Sequence, residues 1–381
     1  MGGLGRSLYP RPAVRLVRLA RIRSLRLGRP TARVRVRFPA VRWVLVPLLT
    51  TVEVVRGLLI WLFDLLEPPP PRILEPLPPG GFLVVGHRGA PAECVENTIE
   101  SFEQAVRRGA NAIETDLCVT RDGQVIAWHD WDPDEMVARA RQAGGELEVI
   151  SLPVVPEPGD PMRRPVCELT LEELLAHYGY AKFGSRRTID VRVPLLDDVV
   201  RWAAGQPGVR VVVLDVKIPA ARRELMRTVL GALGAAAGRH RPACRFVLLV
   251  ASVEVLELAR EHARDLPRML DIEIPAGWIR HPERLSAVGP ARALENRWAA
   301  IGRPRFTLGG WRIYRRVIRR DLEEIREGIA KGNAPVDHYV CWTINRPREM
   351  RRLIRMGVHG ILTDHARVLE RIVRRPTARG S

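Results

Sequence analysis

Two histidines and two carboxylates in this chain have the types and spacing of a hydrolytic centre. They are His87 in Gly86-His87-Arg88-Gly89, Glu114 and Asp116 in Ile113-Glu114-Thr115-Asp116, and His129 in Trp128-His129-Asp130. Glu114 and Asp116 are two residues apart, so in a strand both side chains point to one face. Two hard oxygen donors on one face suit Mg²⁺ or Ca²⁺. A histidine on either side can give and take protons near neutral pH. A divalent cation flanked by two such histidines suits cleavage of a phosphate ester, because the ion offsets the anionic charge that repels nucleophiles.

The elements that must position these groups follow from the runs around them. Asp122-Gly123 is a hairpin signal, and a two-residue turn there pairs positions so that Asp116 faces His129 across a ladder. Residues 117–120 and 125–128 have the β-branched and aromatic content such a ribbon needs. Upstream, Thr98 to Arg108 reads as a helix capped by Asn97. Downstream, Leu169 to His177 reads as a helix with Thr170 as cap and Glu173 completing a capping box. Residues 131–165 show no strong strand and read as an insertion.

Apolar runs at 82–86, 111–116, 209–216, 246–250, 269–274, 305–308, 338–343 and 360–363 are expected to be parallel strands with helices between them. The returning arm 125–129 is not among them, since only a turn precedes it. Eight strands alternating with helices indicate a (β/α)₈ TIM barrel, in which functional residues sit at the carboxyl ends of strands. His87, Glu114, Asp116, Asp215, Lys217, Trp342 and Asp364 all fall at such ends.

The rest of the chain is organised around this domain. Twelve arginines and no acidic residue precede Glu53, so that leg carries +12 of the net +18. Residues 1–38 are a basic leg, 39–66 an apolar membrane-associating helix, 67–80 a stiff proline-rich linker, 81–370 the catalytic domain and 371–381 a basic tail. A helix over 41–66 would be about 40 Å long. Pro47, Glu53 and Arg56 inside it favour an embedded or interfacial anchor; a single span and a helix packed on the catalytic domain are the alternatives. The basic leg favours a cytoplasmic amino terminus, with the barrel outside if the helix spans and inside if it lies in the interface. No zinc-finger spacing, aromatic RNA-binding motif or helix-turn-helix accompanies the arginines, so nucleic acid is not the expected partner. The five cysteines are scattered, with no CxxC, and read as packing residues.

With these motifs in order, the chain resembles the glycerophosphodiester phosphodiesterases over about residues 82–370. The matching runs are Gly86 to Ala90, Glu96-Asn97-Thr98, Ile113 to Asp116, Thr120 to Gly123, His129-Asp130, Asp215-Val216-Lys217, Trp342 to Asn345 and Gly357 to Asp364. The resemblance implies a metal-dependent barrel hydrolase that splits a glycerophosphodiester into glycerol phosphate and an alcohol. It makes His87 and His129 the acid–base pair, and Glu114, Asp116 and Asp215 metal ligands. Arg88 and Lys217 become phosphate contacts, with Glu96 and Asn97 lining the site nearby. The favoured order is His87 as base and His129 as acid, the reverse remaining open. Two departures stand out: Asp215 where the family usually has glutamate, and His359 where it often has aspartate.

Plainer roles compete with these. Glu114 and Asp116 could be a solvated strand end or pair with arginine. Trp342 is placed at the site mouth, with a core aromatic as the alternative. Asp364 could only cap a helix, and His338 reads as a packing or surface residue. Two further functions stay in view: a lysophospholipase D acting on lysophospholipids at a membrane, and a catalytically weak module binding lipid headgroups. The shorter Asp215 is what keeps the second alive.

Overall fold

The structure, a computed structural model, describes residues 81–374 except 147, 185–186, 274–284, 304–309 and 333–335. The expected leg, apolar helix and linker lie outside the described residues. Among the described residues, no helix is long and apolar enough to cross a membrane.

Eight parallel strands close on themselves: β1 (Leu83–Gly86), β2 (Ala112–Val119), β7 (Val211–Val216), β8 (Arg245–Val250), β9 (Arg268–Ile272), β10 (Trp298–Gly302), β11 (His338–Trp342) and β12 (Gly360–Thr363). β12 and β2 both pair with β1, which completes the (β/α)₈ barrel. Helices follow the strands, among them α1 (Ile99–Arg107) after β1. Each barrel strand has two faces. Leu83, Val85, Ala112, Val211, Val213, Val247, Leu249, Met269, Val340 and Leu362 fill the interior. Val84, Ile113, Val212 and Leu248 pack outward in the larger core that includes helix residues such as Phe102. Burying each such side chain contributes about 1.5–3 kcal/mol, so a one-residue slip that exchanged the faces is strongly opposed.

That alternation positions the site. Continuing the inward parity past the last apolar residue of each strand reaches His87 on β1, Glu114 and Asp116 on β2, Asp215 and Lys217 on β7, Asp271 on β9, Trp342 on β11 and Asp364 on β12. The charged groups therefore converge at one mouth because the same strands are apolar one layer below.

Four expectations need correction. The sixth barrel strand is Trp298–Gly302; the run 305–308, expected in that place, lies outside the described residues. Its Trp-Ala-Ala-Ile-Gly run has weak β-propensity, and burial between β9 and β11 supplies what propensity does not. The hairpin of β2 with β3 (Val125–Ala127) pairs Leu117 with Ala127, one register away from expectation, so the backbone N–H of Trp128 donates to the carbonyl oxygen of Asp116 at 3.1 Å. A two-residue type I′ turn requires positive φ at both Asp122 and Gly123, and of the two only Gly123 (φ 78°) has it. Instead Gly123 N–H bonds Thr120 O and Thr120 N–H bonds Gln124 O, a three-residue loop with a glycine bulge. The cap of α1 is Thr98, whose hydroxyl accepts from Ser101 N–H, because Asn97 is committed elsewhere. The last helix, Ala366–Arg374, runs four residues into the segment read as a tail.

The insertion is ordered more than its sequence suggests. It contains α2 (Met136–Gln142) and β4 (Ser151–Val154). β4 pairs antiparallel with β5 (Gly179–Lys182), which also pairs with β6 (Thr188–Ile189). Pro153 argues against a strand, but β4 is an edge with a partner on one side only, where proline is tolerated. As expected, α3 (Leu171–His177) carries the Thr170–Glu173 capping box, and Cys118, Cys167 and Cys341 are buried free thiols.

Candidate active site

Glu114, Asp116 and Asp215 lie at adjacent strand ends, Asp116 and Asp215 being partners in the β2–β7 register. All three are buried, and each offers a carboxylate oxygen within 4.8 Å of the others. Burial, and then the charges of Asp116 and Asp215, push Glu114 well above the usual carboxylate range. Its Oε1 is buried with no hydrogen-bond partner. Burial also opposes ionisation of Asp116, but His129, Lys217 and Arg88 together hold it well below the usual range. Lys217 Nζ lies 2.5 Å from Asp215 Oδ2 and 3.2 Å from Asp116 Oδ1. Burial disfavours that ammonium; Asp215, Asp116 and Asp271 keep it charged.

The loop after β1 is built to meet this cluster. Arg88 adopts a left-handed backbone (φ 51°), at a cost of about 1–2 kcal/mol for a residue with a Cβ. That conformation lets its N–H donate to Glu114 Oε2 at 2.8 Å. Ser101 on α1 pins the loop by donating to Arg88 O and accepting from Ala90 N–H. A Cβ on Gly89 would lie 2.4 Å from Ser101 Oγ, so only glycine fits there. Asn97, also left-handed (φ 56°), donates to Asp116 Oδ2 and accepts from Thr115 Oγ1 and Asp116 N–H.

Each histidine has its own carboxylate. His87 Nδ1 lies 2.7 Å from Asp364 Oδ1, and His129 Nδ1 lies 2.6 Å from Asp130 Oδ1. A carboxylate at Nδ1 fixes the tautomer and leaves Nε2 for proton transfer. Burial opposes ionisation of Asp364, but His87 and Asn345 hold it below the usual range. Burial, then Arg88 and Arg141, push the His129 imidazole down, towards its neutral form. His87, His129, the three acids, Arg88, Lys217 and Trp342 all line one cavity of about 260 Å³. Trp342 also packs on the barrel interior, over Gly302, where a Cβ would come within 2.5 Å of its ring. It thus fills both roles the sequence left open.

The model of the Glycerophosphoryl diester phosphodiesterase family matches residues 87–368. The chain belongs to this family. A Bacillus subtilis protein called YqiK, whose function is uncharacterised, is 25% identical over 282 residues, covering 74% of this chain and 94% of its own. A Caldanaerobacter subterraneus glycerophosphodiester phosphodiesterase is 23% identical over 299 residues, covering 77% and 98%. Among solved structures, a Silicibacter pomeroyi protein provisionally named for the same activity superposes with a TM-score of 0.56. It is 22% identical and covers 80% of this chain and 94% of its own. An Oleispira antarctica phosphodiesterase, solved with its product sn-glycerol-3-phosphate, gives 0.50 at 16% identity, covering 76% and 96%. These likenesses bear out the barrel, and the family makes the chain an enzyme, a phosphoric diester hydrolase.

As a glycerophosphoryl diester phosphodiesterase, the chain departs from expectation in its second layer. Glu96 and Asn97 do not line the cavity. Glu96 is locked between Arg88 Nη1, at 2.8 Å, and Arg141 Nη2, while Asn97 holds Asp116. Both are almost fully buried because each satisfies charges that would otherwise stand alone. Arg88 lines the cavity but also pairs with Glu96, Asp116 and Glu146. Asp364 is not merely a cap. The groups the sequence reading missed are Asp130, Asn345 and, from the insertion, Arg141, Glu146 and Glu148, the last accepting from Asn345 Nδ2. Asp130 had a signal, its adjacency to His129, and Asp364 had its inward parity on β12. Arg141 and the two glutamates had none, because only the path of the insertion brings them to the barrel.

Proposed function

We propose that this chain hydrolyses glycerophosphodiesters to glycerol phosphate and an alcohol, with a divalent cation held by Glu114, Asp116 and Asp215. His87 and His129 move the protons in this reading. What carries it is the pairing of each histidine with its own carboxylate on one cavity that also holds the buried acid cluster.

The donor set fits a hard cation. Seven carboxyl groups (Glu96, Glu114, Asp116, Asp130, Glu146, Asp215 and Asp364) meet three permanent cations (Arg88, Arg141 and Lys217), so acids outnumber cations even with Glu114 protonated. The unpartnered, buried Glu114 Oε1 belongs to the residue that groups with Asp116 and Asp215. Mg²⁺ and Ca²⁺ both accept all-oxygen sites. When bound, such an ion neutralises the diester and polarises the phosphorus centre. Lys217, held charged at the cavity wall, supplies further positive charge to the phosphoryl oxygens. One imidazole Nε2 takes the proton of the nucleophile, and the other gives a proton to the leaving oxygen. Burial, and then the charges of Arg88 and Arg141, favour the neutral form of His129, which suits the base. That reverses the order favoured from the sequence, His87 then serving as acid.

Phosphorus NMR of glycerophosphocholine incubated with the full-length chain tests this reading. Glycerol phosphate should form with Mg²⁺ or Ca²⁺ and stop after chelation. Metal-independent turnover, or none with any divalent ion, would overturn it. Val137 lines the cavity, and its neighbour Met136 is 84% exposed. These apolar groups favour a second reading, lysophospholipase D activity, which faster turnover of lysophosphatidylcholine in the same assay would support. The basic leg and apolar segment support a membrane-attached enzyme, and failure of the full chain to sediment with anionic vesicles would sink that part.

A further inference from the structure

The insertion delivers to the buried side of His129 an arginine that no barrel strand supplies. Arg141, in the last turn of α2, is 3% exposed. Its Nη1 lies 2.7 Å from Asp130 Oδ1 and 3.0 Å from His129 Nδ1. Its Nε donates to Glu146 Oε2 at 3.1 Å, and its Nη2 donates to Glu96 Oε1. Glu96 and Glu146 in turn both accept from Arg88 Nη1, and Arg88 Nε lies 3.1 Å from the acid-cluster residue Asp116. A continuous buried path of alternating charge therefore runs from Asp116 through Arg88, Glu96 and Arg141 to Asp130 and His129.

The hydrogen-bond roles along this path have one consistent assignment. Arginine only donates. Asp130 Oδ1 is closer to His129 Nδ1, at 2.6 Å, than Arg141 Nη1 is. The ring therefore donates from Nδ1 to Asp130, Asp130 also accepts from Arg141, and Nε2 is left as the proton-transfer atom. A planar guanidinium with five N–H groups in a fixed fork can hold three carboxylates at once, which an ammonium on a flexible stem cannot do in the same geometry. Arg141 does not line the cavity, so it acts on the reaction through His129 and the carboxylate that holds the ring.

We propose that Arg141 is a positioning residue for proton transfer at His129, and that the insertion is thereby an integral half of the active site. Arg141 fixes Asp130, Asp130 fixes the tautomer and direction of the ring, and Glu96 and Glu146 tie that arrangement to Arg88. The proposal rests on the reading of His129 as a proton-transfer residue.

The test uses the full-length chain, glycerophosphocholine and saturating Mg²⁺. Arg141→Met should lower kcat by about 100-fold while changing KM by less than about threefold, the signature of a misplaced catalytic group. Added guanidinium ion at a non-denaturing concentration should restore kcat by about tenfold or more, since it can refill the cavity left between the three carboxylates. A purely structural role would give no such rescue. The double variant Asp130→Asn/Arg141→Met should be no worse than the weaker single variant, because both act through one contact. A kcat within about threefold of wild type, a loss confined to KM, or additive losses would each overturn the proposal. Should Arg141→Met fail to fold by thermal melting, Arg141→Lys decides: a loss of about tenfold or more in kcat is expected, and wild-type kcat overturns it. An active His129→Ala would instead overturn the reading beneath.

Discussion

A histidine–aspartate pair with 2.6 Å between Nδ1 and the carboxylate occurs at both ends of the barrel, as His129–Asp130 at the carboxyl end and His338–Asp337 at the amino end. The pairs differ in everything around them. His338 is stacked flat on Trp298, with ring centroids 3.9 Å apart and planes 4° from parallel. Its aspartate is gripped by Arg297. The next ring, His359, accepts a backbone hydrogen bond from Tyr339 N–H. Among the described residues, the acid cluster that could take a metal is at the other end. A histidine–carboxylate pair is thus common currency of folding; it becomes a site where inward-facing strand ends converge with more negative charge than the protein itself neutralises.

The comparison can be broken first by substitution at its two ends. His87→Ala and His129→Ala should each lower kcat by about 10³-fold or more, whereas His338→Ala should keep it within about threefold. Steady-state kinetics on a glycerophosphodiester checks this, and equal losses at both ends would erase the distinction. Next, Glu114→Gln keeps the shape of the acid cluster and removes one charge. Activity should fall by about 10²-fold, and calorimetric Mg²⁺ affinity by about tenfold or more. Unchanged metal affinity would remove Glu114 from the ligand set. Asp364→Asn should cost about 10–100-fold in kcat with little change in KM, because the ring of His87 loses its orientation. Asp337→Asn, its counterpart at the amino end, should leave kinetics unaltered.

The smallest effect concerns stability. Burial, and then the facing His338, push His359 down to about 4, with Asp337 opposing and Arg326 adding to the shift. The unfolded imidazole titrates near about 6.5, so between those values the unfolded chain binds a proton that the folded chain refuses. Folding stability therefore falls as pH drops through that window. Between pH 7 and about pH 4.5, urea unfolding should show wild type losing roughly 2 kcal/mol more than His359→Gln. Equal losses would mean that His359 is not the acid-sensitive group of the amino end.

What could be read in advance divides along a physical line. The site residues on barrel strands were legible because a period of two is local: Ala112, Glu114 and Asp116 share a face whatever the rest of the chain does. The capping box of α3 was legible for the same reason. The sixth strand was not, since Trp298–Gly302 owes its form to neighbours on both sides and not to its own composition. The hairpin register slipped by one because Asp122-Gly123 serves two turn geometries, and the extra hydrogen bonds of Thr120 choose between them.

By itself, the sequence determined the barrel and the identity of the inward-facing acids and histidines, because alternation and strand-end position are written residue by residue. The tertiary structure alone decided what stands behind each of them. Asp364 meets His87 across 277 positions, and Arg141 reaches Glu96 across 45. Partners so far apart in the chain leave no local pattern; only the closure of the barrel and the fold of the insertion bring their charges within reach.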